Sequence, residues 1–388
     1  MRVGILSPIA PERIGGGYTF EQEIFQQILE LAPSSNHEFV IFEGFRGAKP
    51  GNRSHGFKYV ALKRPARDFL VLRKRTFPWE EKWIDNVLGR EKIEFFLNTT
   101  FEAVTLNFPF LAIVWDLQHR LQPFFPEVSA RGQWERRENF YSHVLKRAAF
   151  IVVGTEAGKK EVQLFYGVPE ERIKILPHPT PDFALNSTRS DASLLAEYKL
   201  PRDYVFYPAQ FWSHKNHAAI LRALLHLKKT DNLQLPVVFT GSNQGNEAYV
   251  RELVAKMRLT GQVFFLGHVR RETLKALYQN ALALCYVSFF GPENLPPLEA
   301  FGLGCPVIAA DVPGAAEQLG DSAIRVNPAN EKEIAQALKL LVNDQMKREE
   351  LIRRGRERAR RFTGRDFAKA LLKLLDEFEP IRRCWPHS

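Results

Sequence analysis

Short apolar runs separated by segments of helical period recur along most of this 388-residue chain, and that alternation admits few folds. It predicts βα units, and βα units predict parallel sheets with helices on both faces. In the first half, strands are predicted at 3–6, 38–42, 59–62, 93–97, 111–114, 150–153 and 173–176, with helices such as 19–31, 133–146 and 156–166 between them. The alternation pauses over residues 177–200, PHPTPDFALNSTRSDASLLAEYKL, which have the Pro and Ser/Thr/Asn/Asp composition of a connection between domains. It then restarts, with strands at 205–207, 237–240, 263–266, 283–286, 307–310 and 324–326. The expectation is an α/β chain of two Rossmann-like, doubly wound domains, 1–180 and 195–364, with a cleft between them. Residues 353–378 read as one long helix, basic at first, and the segment from 365 to 388 is expected to pack back on the first domain.

In such sheets ligands lie outside the carboxyl ends of the strands, so the loops there are where chemistry is sought. After the first strand, Gly15, Gly16 and Gly17 precede a helix. Three glycines let backbone approach an anion at a helix start, yet they serve equally as a flexible βα loop. The stretch GTEAGKK at 154–160 has one residue too few between its glycines for a nucleoside-triphosphate loop and lacks the Ser or Thr after its lysine. HKNH at 214–217 has two histidines and no evident carboxylate or thiol partner, so it reads as a loop entering a helix rather than a metal site. Its Lys215 is more informative, because it follows a predicted strand where a cation meets a bound diphosphate.

The stretch GPENLPPLEAFGLG at 291–304 follows another strand and lies at the same edge. Asn294 is placed to cap a helix, and Pro296 and Pro297 suit a first turn, whose N–H groups have no intrahelical partner. The free N–H groups and helix dipole attract an anion, while Glu299, about a turn inside, can accept from hydroxyls. A diphosphate carrying a ribose meets both demands; a buried helix with one satisfied glutamate is the alternative.

Charge narrows the partners less. Lys and Arg number 54 against 44 acids, a formal net charge of +10, which suits nucleic acid, a phosphorylated substrate or an anionic membrane surface. Ten of those cations lie between Arg46 and Arg75 against one acid, Asp68. There ARDFLVLRKRTFPW interleaves charge with apolar side chains, in the manner either of a headgroup-lying segment or of a solvated face on a packed helix. The three cysteines, Cys285, Cys305 and Cys384, show no metal-ligand spacing. MRVGILSPIA reads as a first strand, not a signal peptide, and no run is long enough to span a membrane. The expected location is cytoplasmic, at most peripheral on the inner face of the plasma membrane.

At these motifs the sequence resembles the family 4 glycosyltransferases, retaining enzymes of the GT-B architecture. The residues that carry the resemblance are NLPPLEAFGLGCPVIAADVPGAAEQLGD (294–321), KN at Lys215–Asn216, FLGHV (265–269), the loop Gly15–Gly17 and WDLQHRLQPFFPE (115–127). The resemblance implies that the second domain holds a nucleotide sugar and the first the acceptor. It implies that Glu299 binds the ribose, that Lys215 neutralises the diphosphate, that main chain near Val269 meets the base, and that no divalent metal or other cofactor is needed.

Three positions depart from the family pattern. Gly291 stands where a glutamate is expected, leaving Glu293 as the neighbour available for its sugar contact. Gln210 replaces a basic residue before Lys215. Trp115 replaces a histidine, leaving Asp116 and His119 as candidates for contact with donor sugar or acceptor, or for a structural role. These forms resemble the subgroup of bacterial mannosyl- or rhamnosyltransferases of surface polysaccharides. The implied reaction moves a hexose from a GDP-, UDP- or dTDP-linked donor to a hydroxyl of a glycan or lipid-linked acceptor, with Leu295 and Pro296 in the donor-facing turn. A nucleotide-sugar epimerase or another GT-B enzyme such as a phosphorylase and, on charge alone, a nucleic-acid-binding protein are the rivals; the lipid-linked acceptor accounts for the basic segment without nucleic acid.

Overall fold

The computed structural model describes residues 1–8, 15–45, 56–62, 82–100, 103–190 and 192–386. Most of the basic 46–75 stretch, including ARDFLVLRKRTFPW, lies outside the described residues. The chain divides into two compact units.

The first unit is Met1–Leu117, Arg136–Pro177 and Gly364–Ser388. Its strands are β1 (Arg2–Leu6), β2 (Glu38–Glu43), β3 (Lys58–Ala61), β4 (Phe95–Leu97), β5 (Phe110–Ile113), β6 (Phe150–Val153) and β7 (Ile173–Ile175). They form a parallel sheet in the order β3-β2-β1-β4-β5-β6-β7. Strands β1, β4, β5 and β6 are buried almost throughout, as a sheet covered on both faces requires. The order reverses between β1 and β4, so the loops after them, carrying Gly15–Gly17 and Asn98–Thr100, lie at the switch point.

The second unit is Gln118–Glu135 and His178–Thr363. Strands β8 (Val205–Pro208), β9 (Val237–Thr240), β10 (Val263–Phe265), β11 (Ala283–Tyr286), β12 (Val307–Ala310) and β13 (Ile324–Val326) make a second parallel sheet in the order β10-β9-β8-β11-β12-β13. Here the reversal falls between β8 and β11. The loop after β8 carries Lys215 and the loop after β11 leads into the Leu295–Leu303 helix, so both motifs share one switch point.

Three expectations need correction. Residues 353–378 are not one helix: Gln345–Ala359 and Gly364–Arg382 are separate. Between them Thr363 forms a parallel bridge with Thr180, and Thr180 N–H donates to Phe362 O at 3.1 Å, so backbone groups there are spent on an extended pairing that a continuous helix cannot make. The Gly364–Arg382 helix lies in the first unit, where it packs on the Gly16–Leu31 helix and inserts Phe367 against Phe20 and Phe378 against Phe95, with ring centroids 5.4 and 5.0 Å apart. Secondly, the connection at residues 177–200 is shorter than expected: the change of unit falls after Pro177, and the residues that follow belong to the second unit. Their Asp182–Leu185 turn packs on the Leu295–Leu303 helix, and Ala184 is buried. Finally, Gln118–Glu135, in the middle of the first unit's sequence, belongs to the second unit.

Candidate active site

The Lys215 loop is built for a fixed backbone. Ser213–Lys215 make one 3-10 turn, and Asn216 follows in the left-handed region at φ 57°, which asparagine tolerates better than most residues. Asn216 is buried, and its Nδ2 donates to Val287 O at 3.1 Å and Pro328 O at 2.8 Å, tying the loop to the ends of β11 and β13. The Lys215 carbonyl accepts from the Tyr207 hydroxyl, and its ammonium donates to Tyr286 Oη at 2.8 Å. Among the described residues no carboxylate pairs with Lys215, so a half-buried cation stands with only a neutral hydroxyl on it. Gln210 is not a second cation here, and its Oε1 accepts from Trp212 Nε1 at 2.9 Å.

The histidines flanking Lys215 do structural work. His217 is fully buried, stacked on Phe211 at 4.4 Å and edge-on to Tyr207 and Phe239; burial pushes its pKa down to about 3 and keeps it neutral. The His214 ring stacks on Phe290 at 3.7 Å, and its Nδ1 and backbone N–H both meet Glu127 Oε1. Burial would lift the Glu127 carboxyl, but the His214 ring and N–H outweigh it and hold it below the usual carboxylate range. Neither histidine joins a group at metal-ligand spacing among the described residues.

The second loop ends on the Leu295–Leu303 helix, buried nearly all round. Asn294 occupies the cap position, but its side chain does not cap, contrary to the sequence reading. Its Nδ2 donates back to Gly291 O at 3.0 Å, while its backbone exchanges two 3.0 Å hydrogen bonds with the Gln318 carboxamide. Because Pro296 and Pro297 lack N–H groups and Leu298 is the first residue in register to donate within the helix, the first turn offers only the N–H of Leu295. Gly291 adopts φ +110°, and a Cβ there would lie 2.8 Å from the Asn294 carboxamide, so a glutamate at this position would be strained in its backbone and would have to displace the Asn294 side chain.

Glu293 is buried, its Oε1 accepting from His178 N–H at 2.7 Å and its Oε2 3.1 Å from His178 Nδ1. Glu299 accepts from the Tyr278 hydroxyl at 2.7 Å, and burial pushes its pKa up to about 7 against the pull of that hydroxyl and of Arg271. Val269 lies in the half-exposed loop after β10, whose Gly267 carbonyl accepts from Gly241 N–H at 2.8 Å.

The remaining candidates divide between the units. His119 falls in the second unit, fully buried and edge-on to Trp134. Asp116 falls in the first, after β5, in an ion pair with Arg137. Nearby Glu161 is pushed up to about 7 by burial and then by the Asp116 charge. Gly15 caps the Gly16–Leu31 helix at φ 75° without any side-chain hydrogen bond; Gly15 and Gly16 are exposed and Gly17 half-buried.

Sequence reasoning missed Glu127, Tyr278 and Tyr286, and the buried polar run Asn98, Thr99 and Thr100 after β4. That last run was detectable, since three polar residues directly after a fully apolar strand mark a carboxyl-edge loop.

Residues 197–358, within the second unit, match the family model described as Glycosyl transferases group 1. The chain is 25% identical over 240 residues to O-antigen chain mannosyltransferase B of Escherichia coli, covering 61% of this chain and 63% of that protein. It is 26% identical over 195 residues to O-antigen chain mannosyltransferase RfbU of Salmonella typhimurium, covering 50% and 51%. The matches thus span about half to five-eighths of these relatives. In fold it is similar to sucrose-phosphate synthase from Thermosynechococcus elongatus, with TM-score 0.74 at 17% identity, covering 98% of this chain and 99% of that one. The fold is GT-B.

Proposed function

We propose that this chain is a glycosyltransferase that moves a hexose from a nucleotide diphosphosugar to a hydroxyl of a glycan or lipid-linked acceptor, with retention at the anomeric carbon and without a metal. The observation that carries the reading is the Lys215 ammonium, with no carboxylate paired to it among the described residues, at the same switch point as the loop into the Leu295–Leu303 helix. As the bond from the anomeric carbon to phosphate oxygen breaks, negative charge grows on the diphosphate. A fixed cation and an oriented helix start stabilise that charge without reorganising. The acceptor oxygen bonds to the same face of the anomeric carbon, and its proton passes to the leaving phosphate oxygen, so no side-chain base is needed.

In this reading Glu299 receives the ribose hydroxyls, Val269 main chain meets the base, and Glu293, held by His178, faces the sugar side. His119 is a structural residue of the second unit. Asp116 and the Gly15–Gly17 loop serve the acceptor on the first unit. Mannose is favoured because the two relatives above are named as mannosyltransferases; a rhamnose-like sugar is the variant.

The direct test is a thermal-shift comparison of GDP-, UDP-, dTDP- and ADP-sugars, because a ligand of the folded state raises Tm with affinity and concentration. One donor should raise Tm in the wild type and fail to do so in Lys215→Ala. Indifference of the wild type to every nucleotide sugar at millimolar concentration would end this proposal. No described helix is long and apolar enough to cross a membrane, and a lipid-linked acceptor would be met at the surface. Vesicle binding that rises with anionic lipid content supports that last point.

A further inference from the structure

The segment Gln118–Glu135 is joined in sequence to the first unit at both ends, yet it is part of the second unit and reaches both loops of the donor site. Glu127 takes the backbone N–H and the ring of His214, the residue directly before Lys215. On its other side the His214 carbonyl accepts from Phe289 N–H at 2.8 Å, and the ring lies on Phe290. Gln122 Nε2 donates to Phe289 O at 3.0 Å, and Phe125 packs within 6.3 Å of His214, Phe289 and Phe290, centroid to centroid. Glu127 Oε1 carries the His214 contacts, while Oε2 is buried and has no hydrogen-bond partner among the described residues.

From this arrangement we infer that Glu127 is a positioning residue for Lys215: through His214 it fixes the turn that aims the ammonium, and it locks that turn to the Phe289–Asn294 loop. The inference rests on the proposed transfer reaction. A lysine on a 3-10 turn has a long flexible stem, so its aim depends on where the turn's backbone is held. An ångström of drift in a charged group costs about 100-fold in rate.

The experiment is a double-mutant cycle on the full chain with the donor identified by thermal shift. Glu127→Ala should lower kcat/KM by about 10- to 100-fold, while Glu127→Gln, which still accepts the His214 N–H, should recover most of it. If Glu127 acts through Lys215, then Glu127→Ala/Lys215→Ala should be no slower than Lys215→Ala alone. Fully multiplicative losses, or an Ala variant as fast as wild type, overturn the inference and leave the transferase reading intact. A wild type that binds no nucleotide overturns both. Circular dichroism and Tm of each variant separate a displaced loop from an unfolded chain; a Gln variant as slow as Ala but as stable as wild type also counts against the backbone-holding role.

Discussion

Two side chains of the second unit differ in what they ask of pH and charge. In the proposed reaction Lys215 acts as a cation, and Lys215→Ala should then cut turnover about 100- to 1,000-fold, the usual cost of losing one preorganised contact to developing charge. Glu299 pays for its burial. Its carboxyl is pushed up from 4.5 to about 7, so between those values the folded chain binds more protons than the unfolded one, and stability falls as pH rises through that window. The Glu299→Gln variant keeps an acceptor for Tyr278 without a charge. Relative to wild type it should gain up to roughly 3 kcal/mol between pH 4.5 and 8 in urea melts, and parallel stability curves for the two would count against the buried, titrating carboxyl. On the proposed role of Glu299, the same substitution should also weaken nucleotide binding, because a carboxamide has one acceptor oxygen where the carboxylate has two. At this scale the placements of Lys215 in the loop after β8 and of Glu299 inside the helix after β11 were readable from the strand and helix pattern. Glu127 was not, because its partner lies 87 positions away and nothing local marks the pairing.

Elements explain why the GPENLPP turn has its odd composition. Gly291 holds φ +110°, Asn294 folds back on it, and Gln318 pins Asn294 from the next helix, so the turn is shaped by its own side chains rather than by a cap. Gly291→Ala should destabilise the second unit by about 1–3 kcal/mol through backbone strain and the clash with Asn294. Equilibrium unfolding measures it, and an unchanged midpoint would contradict this geometry. Gly291→Glu should be worse still and restore no activity. The double proline marked a helix start correctly, for the reason that a first turn does not miss its N–H groups. The same prolines reduce the donors that the turn presents, so any anion held there relies on few N–H groups and on the helix dipole. Strand positions were readable almost to the residue from apolar runs. The break after Ala359 was not, because it depends on Thr363 pairing with Thr180 across 183 residues, which no local period encodes.

For the whole molecule, repetition of one pattern on either side of a proline-rich stretch announced two sheets. What it left out is how often the chain changes unit: after Leu117, Glu135, Pro177 and Thr363. Phe378→Ala, which empties the space between Phe95 and Phe150, should cost the first unit about 3–5 kcal/mol. Differential scanning calorimetry should then resolve two transitions, with nucleotide still shifting the upper one; a single unsplit transition at the wild-type Tm would oppose that assignment.

The Gly364–Arg382 helix also sets a timetable. Domains usually fold as they leave the ribosome, amino end first. Here the first unit must wait, because Phe367, Leu371, Leu375 and Phe378 complete its core and are synthesised after all of the second unit. Until then Phe20, Phe95 and Phe150 lack their covering helix, so the nascent chain carries an unfinished apolar face through the making of almost two hundred residues. A chaperone that shields such faces has its longest engagement with the half of the protein that is made first.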